Sequence, residues 1–225
     1  MPIFATDGRP RLVVFDCDGT LVDSQHAILA CMRDAFAAHG CAAPEDAAIR
    51  RVIGLSLDEA VARLASNGAP AARVAEAYRE AFFAMRSRPD FHEPLFPGVA
   101  AALDALDSAG LLLGVATGKA RRGLLATLKR HGLCNRFITL QTADSNPGKP
   151  HPAMVLRAMA ETGVDPDHTV VVGDTSFDME MARRAGARAV GVAWGYHAGP
   201  DLKAAGADRI VERCEELADC VLGLL

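Results

Sequence analysis

Two aspartates stand close together near the N-terminus, where Asp16 and Asp18 directly follow the apolar run 12–15. A run of consecutive apolar residues is typical of a strand that is buried on both faces. Positions i and i+2 of an extended chain share a side, so we expect the two carboxylates to converge. Two adjacent anions favour a cation between them or a proton on one of them. By itself the pair also fits an ordinary turn at a strand end, where Asp is frequent.

A second acidic cluster follows another apolar run, 169–172, which leads into Gly173 and Asp174, with Asp178 four residues later. Asp174 occupies the same kind of strand end as Asp16. Because ligands bind at the carboxyl ends of strands in an open α/β sheet, two strands that end in carboxylates indicate one shared site. Taken singly, Asp174 also fits a turn residue, and Asp178 fits a negative charge that complements a helix N-terminus.

Two further segments carry groups suited to phosphate oxygens. Thr117 and Gly118 follow an apolar run and offer a hydroxyl and open backbone N–H groups. Lys149 stands between a glycine and a proline, which stiffens the loop and lets it aim the ammonium group. A lone loop lysine is usually solvated, but Lys149 precedes a helix start in the same fold pattern, which favours a function. Lys119 directly follows Thr117 and Gly118, which would suit a place in the same site, but it fits a surface lysine at the beginning of a helix equally well.

The elements that must position these residues alternate between strand and helix, which indicates repeated βα units. The predicted strands are 12–15, 111–116, 137–140, 169–172 and 189–193, with 209–211 as a short edge strand, and the predicted helices are 99–108, 121–131, 152–161 and 177–185. Each of these helices is followed within two residues by a glycine, which terminates helices well. The sequence therefore predicts an α/β fold with a doubly wound, Rossmann-like parallel sheet.

One long segment interrupts this alternation, because residues 24–94 contain no strand-like run. Their Ala-rich helical periods predict four helices, at 27–38, 46–52, 57–65 and 71–85. We therefore expect an inserted all-helical cap domain at 24–94 and an α/β core formed by 1–23 and 95–225. The alternative is one larger α/β domain with extra helices.

Composition excludes several classes of protein. Half of the 225 residues are hydrophobic, which excludes global disorder, and the net charge of −4 argues against a nucleic-acid partner. No apolar run approaches the ~20 residues that span a bilayer, and residues 1–10 lack an apolar signal core, so no membrane association is expected. The six cysteines form no CxxC pair, which suits a reducing cytoplasm.

Together these residues resemble the haloacid dehalogenase superfamily of phosphatases. The resemblance covers essentially the whole chain and rests on four motifs in order, namely Asp16-Cys17-Asp18-Gly19-Thr20, then Thr117, then Lys149, then Gly173-Asp174 with Asp178. Further similarity to the phosphoglycolate phosphatase-like branch with a helical cap lies in 21–24, 53–57, 96–98 and 149–152. Cys17 departs from the larger apolar residue that is usual between the two aspartates, and we expect its side chain to point away from the site.

The resemblance implies a Mg²⁺-dependent phosphomonoesterase. Asp16 would be the nucleophile that forms an aspartyl-phosphate, and Asp18 the general acid and base. Magnesium would be held by Asp16, the Asp18 backbone carbonyl and Asp174, with Asp178 supporting them directly or through a water. Thr117, Gly118 and Lys149 would bind the phosphoryl oxygens. In the cap we expect Gly54, Arg50, Arg51 and His26 to influence substrate choice, although the arginines and the histidine also fit solvated or structural positions.

Several alternatives stay open at this point. A sugar-phosphate mutase similar to β-phosphoglucomutase or a pyrophosphatase would use the same core, and a receiver-type phospho-acceptor domain would be a non-enzyme. Asp18 argues against a hydrolytic dehalogenase. A phosphonate-cleaving enzyme would need a cap lysine, and no lysine precedes Lys119. The expected partner is a small phosphorylated metabolite, phosphoglycolate being one candidate, and the expected oligomeric state is a monomer or a homodimer.

Overall fold

The structure is a computed structural model that describes residues 8–65 and 68–225. These residues form a six-stranded parallel sheet in the order β3-β2-β1-β4-β5-β6, with helices on both faces. The predicted doubly wound α/β fold is confirmed. Residues 1–7, which belong to the segment that shows no apolar signal core, lie outside the described residues.

The described strands are short, and the helices are of ordinary length. The strands are β1 (Leu12–Phe15), β2 (Leu112–Thr117), β3 (Thr139–Thr142), β4 (Thr169–Gly173), β5 (Arg188–Val192) and β6 (Arg209–Val211). The helices are α1 (Gln25–Ala37), α2 (Asp46–Arg50), α3 (Leu57–Leu64), α4 (Ala71–Arg86), α5 (Val99–Ser108), α6 (Arg121–Arg130), α7 (Ala153–Thr162), α8 (Ser176–Arg184), α9 (Gly199–Ala204) and α10 (Leu217–Leu222). Within the described part of the chain, no helix is both long and apolar enough to span a bilayer.

The largest difference from the predicted boundaries concerns β3, which begins two residues later than its apolar run. Thr142 of β3 pairs with Thr117 of β2, so polar residues continue the ladder beyond the apolar segment. Phe137 instead joins the core beneath the sheet. Helices α9 and α10 have no predicted counterpart, because six residues are too few to display a helical period.

Two cores lie on opposite faces of the sheet because side chains alternate along each strand. Val13 and Phe15 of β1 join one core, to which α5, α6 and α10 contribute, whereas Leu12 and Val14 join the other, to which α7, α8 and α9 contribute. Burial on both faces explains why β1 is apolar at all four positions.

The strand order predicts where along the carboxyl ends of the strands a ligand-binding crevice lies. From β1 the chain winds outward through β2 and β3, and it then returns to β4 on the other side of β1. In such sheets ligands bind outside the carboxyl ends of the strands where the winding direction reverses. That position here lies between the ends of β1 and β4, which lead directly into Asp16 and Asp174.

Helices α1 to α4 enclose a hydrophobic cluster of their own, to which Met32, Phe36, Ile49, Val61 and Val74 contribute. The two chain segments that connect these helices to the sheet run side by side. Val22 and Leu95 form an antiparallel bridge, and Asp23 N donates to Pro94 O at 2.8 Å. This crossing coincides with the predicted boundaries at 23/24 and 94/95, and the division into core and cap domains stays a prediction.

Candidate active site

The structure brings Asp16, Asp174 and Asp178 together in the crevice between β1 and β4. Each offers a carboxylate oxygen that lies within 4.8 Å of those of the other two, and all three residues are buried. Asp16 is fixed where β1 ends, since its N–H donates to the carbonyl of Val172 in β4 at 2.9 Å. The predicted convergence of carboxylates from separate strands is therefore observed, whereas their chemical roles stay predictions.

Asp174 is fixed by two hydrogen bonds and by close packing against a glycine. Its Oδ1 accepts a hydrogen bond from Thr20 Oγ1 at 3.0 Å, and its Oδ2 accepts one from Tyr196 N at 2.9 Å. Gly19, with φ +90°, packs so tightly that a Cβ there would lie 2.2 Å from Asp174 Oδ2. The glycine after the Asp16/Asp18 pair is thus required both for the turn and for the approach of β4.

Lys149 lies between two of the three carboxylates. Its Nζ is 2.7 Å from Asp16 Oδ1 and 2.5 Å from Asp178 Oδ1, and its side chain is fully buried. The other oxygen of Asp178 accepts hydrogen bonds from Thr175 Oγ1 at 2.6 Å and Thr175 N at 3.1 Å. Asp178 N donates back to Thr175 Oγ1 at 3.4 Å, which completes a capping box at the start of α8. The loop lysine is therefore not solvated, and Asp178 both caps a helix and pairs with Lys149.

The electrostatics of this cluster favour an added positive charge. Burial raises the pKa of Asp16 to about 7, although Lys149 lowers it and Asp178 raises it further. Burial and the charge of Asp16 also raise the pKa of Asp174 above its usual range. Lys149 pairs with Oδ1 of Asp16, whereas the buried Oδ2 of Asp16 accepts no hydrogen bond from the described residues. Three hard oxygen donors opposed by a single lysine fit a divalent metal site.

A cavity of about 640 Å³ opens onto Asp16 and Asp18. Thr117 and Gly118 line it at the end of β2, and much of the remaining wall is apolar and comes from α1, α2, α4 and the segment 52–57. Gly118 touches that segment so closely that a Cβ there would lie 2.3 Å from the carbonyl oxygen of Leu55. The predicted phosphate-binding groups Thr117 and Gly118 therefore face this space, while Lys149 contacts Asp16 and is not among the lining residues.

Asp18 has partners that sequence reasoning did not identify. Its Oδ1 accepts hydrogen bonds from Ser24 Oγ and from Lys119 Nζ. Lys119 Nζ also lies 3.3 Å from Glu93 Oε1, and both side chains are almost fully buried. Lys119 is therefore not a surface lysine. Its position directly after Thr117 and Gly118 was the feature of the sequence that could have indicated a place in the site. Glu93 lies in a connecting segment, and nothing in the sequence around it indicates such a place.

The predicted cap residues lie in different places. Gly54 lines the cavity, but Arg50, Arg51 and His26 are not among its lining residues. Arg50 Nε donates to Gln25 Oε1, and Arg51 and His26 are exposed. The structure thus brings only Gly54 of the four to the cavity, and the influence of the others on substrate choice stays a prediction.

Comparison with known proteins places this fold and site in a family. A family model described as haloacid dehalogenase-like hydrolase matches residues 13–192, and the chain belongs to that family. It is 38% identical over 218 residues to a protein of Dickeya dadantii named "Probable phosphatase IndB", with 95% of this chain and 94% of that one covered. It is 27% identical over 214 residues to a phosphoglycolate phosphatase of Nitrosococcus oceani, with 93% and 95% covered.

A solved structure shows the same architecture. The crystal structure of a hydrolase from Pseudomonas syringae matches with a TM-score of 0.83 and 28% identity, covering 96% of this chain and 99% of that one. The resemblance to the phosphoglycolate phosphatase-like branch is confirmed, and the protein is a phosphatase of the haloacid dehalogenase-like family. A non-enzymatic receiver-type domain is accordingly not supported.

Proposed function

We propose that the protein is a Mg²⁺-dependent phosphomonoester hydrolase that acts through an aspartyl-phosphate on a small phosphorylated metabolite. The observation that carries this proposal is the cluster of Asp16, Asp174 and Asp178 beside a cavity that Asp16 itself lines. A carboxylate that borders both a metal site and a substrate cavity is suited to attack phosphorus.

The metal would be held by Asp16, Asp174 and the backbone carbonyl of Asp18, with Asp178 as a fourth donor or a support for the others. Mg²⁺ prefers oxygen ligands, and when bound it offsets the repulsion between an anionic nucleophile and a phosphate dianion. The buried Oδ2 of Asp16 supports this assignment, because a buried carboxylate oxygen without a donor is costly unless a cation neutralises it, and Lys149 pairs with the other oxygen.

In the first step a carboxylate oxygen of Asp16 attacks phosphorus as the bond to the leaving oxygen breaks. Asp18, in its protonated form, donates its proton to that oxygen, so the leaving group departs as a neutral alcohol. Thr117 Oγ1, the Gly118 N–H and Lys149 Nζ would stabilise the phosphoryl oxygens in the transition state. The placement of Thr117 and Gly118 on the cavity wall supports this role.

In the second step the Asp18 carboxylate takes a proton from water, and the water oxygen attacks phosphorus. The bond between phosphorus and Asp16 then breaks, which releases inorganic phosphate and restores both aspartates to their starting forms. Contact between the segment 52–57 and Gly118 would close the site during these steps and exclude bulk water.

The name of the Nitrosococcus oceani relative makes phosphoglycolate the first substrate to test. A cavity of about 640 Å³ also has room for larger leaving groups, so a panel of phosphorylated metabolites ranked by kcat/KM identifies the preferred one. A mutase would differ in its product. Formation of glucose 6-phosphate from glucose 1-phosphate, in place of free phosphate, would replace the hydrolase proposal by a phosphoryl transferase.

The decisive test replaces the nucleophile. Asp16→Asn is expected to abolish Mg²⁺-dependent release of phosphate from p-nitrophenyl phosphate, with far-UV circular dichroism unchanged, because an amide cannot attack phosphorus effectively. Asp167→Asn is the matched control, since Asp167 is exposed just before β4, at the opposite end of that strand from Asp174. Substantial activity in Asp16→Asn, or an equal loss in the control, would remove Asp16 as the nucleophile.

A further inference from the structure

We propose that Lys119 and Glu93 are positioning residues that hold the Asp18 carboxylate where proton transfer to the leaving group takes place. The proposal deepens the proposed function and rests on it, since it assigns a task to residues that neither touch phosphorus nor belong to the metal site. It is drawn from a buried chain of charged contacts that runs from Asp18 through Lys119 to Glu93.

Lys119 stands where it can fix Asp18 in one orientation. It follows β2 by two residues, and its N–H donates to Thr117 Oγ1 at 3.2 Å, which anchors its backbone beside the cavity. Its Nζ donates to Asp18 Oδ1, and only 10% of its side chain is exposed. A buried charged hydrogen bond of this kind restricts a carboxylate more strongly than a solvated one.

Glu93 holds Lys119 in that place. Its Oε1 lies 3.3 Å from Lys119 Nζ, and its Oε2 accepts hydrogen bonds from Thr127 Oγ1 at 2.9 Å and from Arg86 Nη2 at 3.3 Å. The glutamate side chain is fully buried, so its position is set by these three partners. A lysine with two buried anionic neighbours has a fixed ammonium group, which is what orienting a third group requires.

The same contacts argue against a competing role for Lys119 as the ligand of a carboxylate on the substrate. Its ammonium group already contacts two buried carboxyl groups, those of Asp18 and Glu93, and Arg86 supplies a second positive charge beside Glu93. A further anion at Nζ would have to displace one of these buried partners from the lysine. We therefore assign the ammonium group to Asp18 and not to the leaving group.

The network also reaches the predicted cap. Arg86, the last residue of α4, donates to Glu93, to Thr127 Oγ1 at 2.6 Å and to the Gly123 carbonyl at 3.0 Å, the last two on α6. The residues that fix Asp18 are thus assembled from the end of β2, the returning connection and a cap helix. Asp18 is fully positioned only when α4 lies against α6.

The test compares leaving groups, because a positioning role for the general acid predicts unequal losses. Lys119→Met and the wild-type enzyme are assayed for kcat/KM with p-nitrophenyl phosphate, with glycerol 3-phosphate and with phosphoglycolate. The phenolate leaves without needing a proton, whereas both alkoxides need one. We expect the variant to lose at least about tenfold more on both alkyl esters than on the aryl ester, within the range that general acid catalysis contributes.

Three further variants sharpen the comparison. Glu93→Gln is expected to show the same unequal pattern with smaller losses, and Lys119→Arg is expected to restore part of the activity on the alkyl esters, because a guanidinium still pairs with Asp18. Lys129→Met removes an exposed lysine of α6 and is expected to leave all three values unchanged. Circular dichroism and thermal melts confirm that each variant is folded.

Any other pattern of losses would overturn the positioning role of Lys119. A loss confined to phosphoglycolate would make Lys119 a ligand for the substrate carboxylate, and equal losses on all three esters would make it merely structural. Unchanged values would show that Asp18 needs no such support. Wild-type turnover and its abolition in Asp16→Asn test the proposed function separately, so a failure of either idea can be recognised without the other.

Discussion

At the scale of single residues, Gly118 has no room for a side chain because the cap segment lies directly on it. A Cβ there would be 2.3 Å from the Leu55 carbonyl oxygen and 2.9 Å from that of Gly54. Gly118→Ala must therefore displace the segment 52–57 or the end of β2. We expect kcat/KM for p-nitrophenyl phosphate to fall by about tenfold or more, since a displacement near 1 Å commonly costs ~10²-fold in rate.

Gly123 provides the matched control for this substitution. It lies inside α6, and a Cβ there would meet its nearest neighbour, Arg86 Nη1, at an ordinary 3.7 Å. Gly123→Ala is expected to retain activity and to raise the free energy of unfolding by about 0.5–1 kcal/mol, because alanine is the better helix former. Equal activity in the two variants would show that the contact with the cap segment does not matter for turnover.

Asp16 and Asp174, whose convergence the sequence predicts, each stand at the end of an apolar run. Asp16 and Asp174 follow β1 and β4, so the general behaviour of α/β sheets is enough to bring them together. Glu93 follows no such run, and its buried carboxylate contacts Lys119 and Thr127, which are distant from it in the chain. Contacts of that kind arise from tertiary packing and leave no periodic pattern in the sequence.

At the scale of secondary structure elements, α8 links helix stability to the site. In its capping box Asp178 N donates to Thr175 Oγ1 at 3.4 Å and Thr175 N donates to Asp178 Oδ2 at 3.1 Å, and the Thr175 hydroxyl also donates to Asp178 Oδ2 at 2.6 Å. Thr175→Ala removes the side-chain half of this capping box and is expected to lower the free energy of unfolding by about 1–2 kcal/mol. Thr175→Ser keeps the hydroxyl and is expected to lose much less.

Urea unfolding of the two Thr175 variants and the wild type, without added metal, measures this difference. Equal destabilisation by alanine and serine would assign the effect to the threonine methyl group instead of the cap.

Among the elements, several strands and helices begin and end close to where the sequence predicts. Strands β1, β4 and β6 and helix α5 match their predicted ranges to within one residue. Strand β3 is displaced because its ladder is decided by pairing with β2, and three of its four residues, Thr139, Gln141 and Thr142, are polar. Pairing partners decide where such a strand begins and ends, and a single sequence does not contain that information.

At the scale of the whole molecule, the buried carboxylates and much of the apolar cavity wall come from different parts of the chain. The sheet supplies Asp16, Asp174 and Thr117, whereas helices α1, α2 and α4 supply much of the apolar cavity wall. The two parts are joined by paired connections at Val22 and Leu95. Helices placed at this point of the fold line the cavity beside the strand ends without interrupting the sheet, and we expect them to influence substrate choice.

The cluster of buried carboxylates has a consequence for the stability of the whole protein. The buried carboxyl groups of Asp16, Asp174 and Asp178 lie beside a single buried cation, Lys149, so a bound Mg²⁺ is expected to stabilise the folded state. At a concentration of about 100 times its Kd, a ligand of the native state contributes ~2.7 kcal/mol. For a chain of this size that corresponds to a rise in Tm of about 5–10 °C.

Differential scanning calorimetry with and without MgCl₂ measures this rise in Tm, and Asp174→Asn is expected to abolish most of it. The variant keeps a side chain of the same size beside Thr20 and Tyr196 but loses one of the charges that would bind the ion. Asp167→Asn, altered at the far end of β4, is expected to respond to MgCl₂ as the wild type does. A full rise in Tm in Asp174→Asn would place the cation elsewhere and separate Asp174 from the metal site, even if the enzyme remained Mg²⁺-dependent.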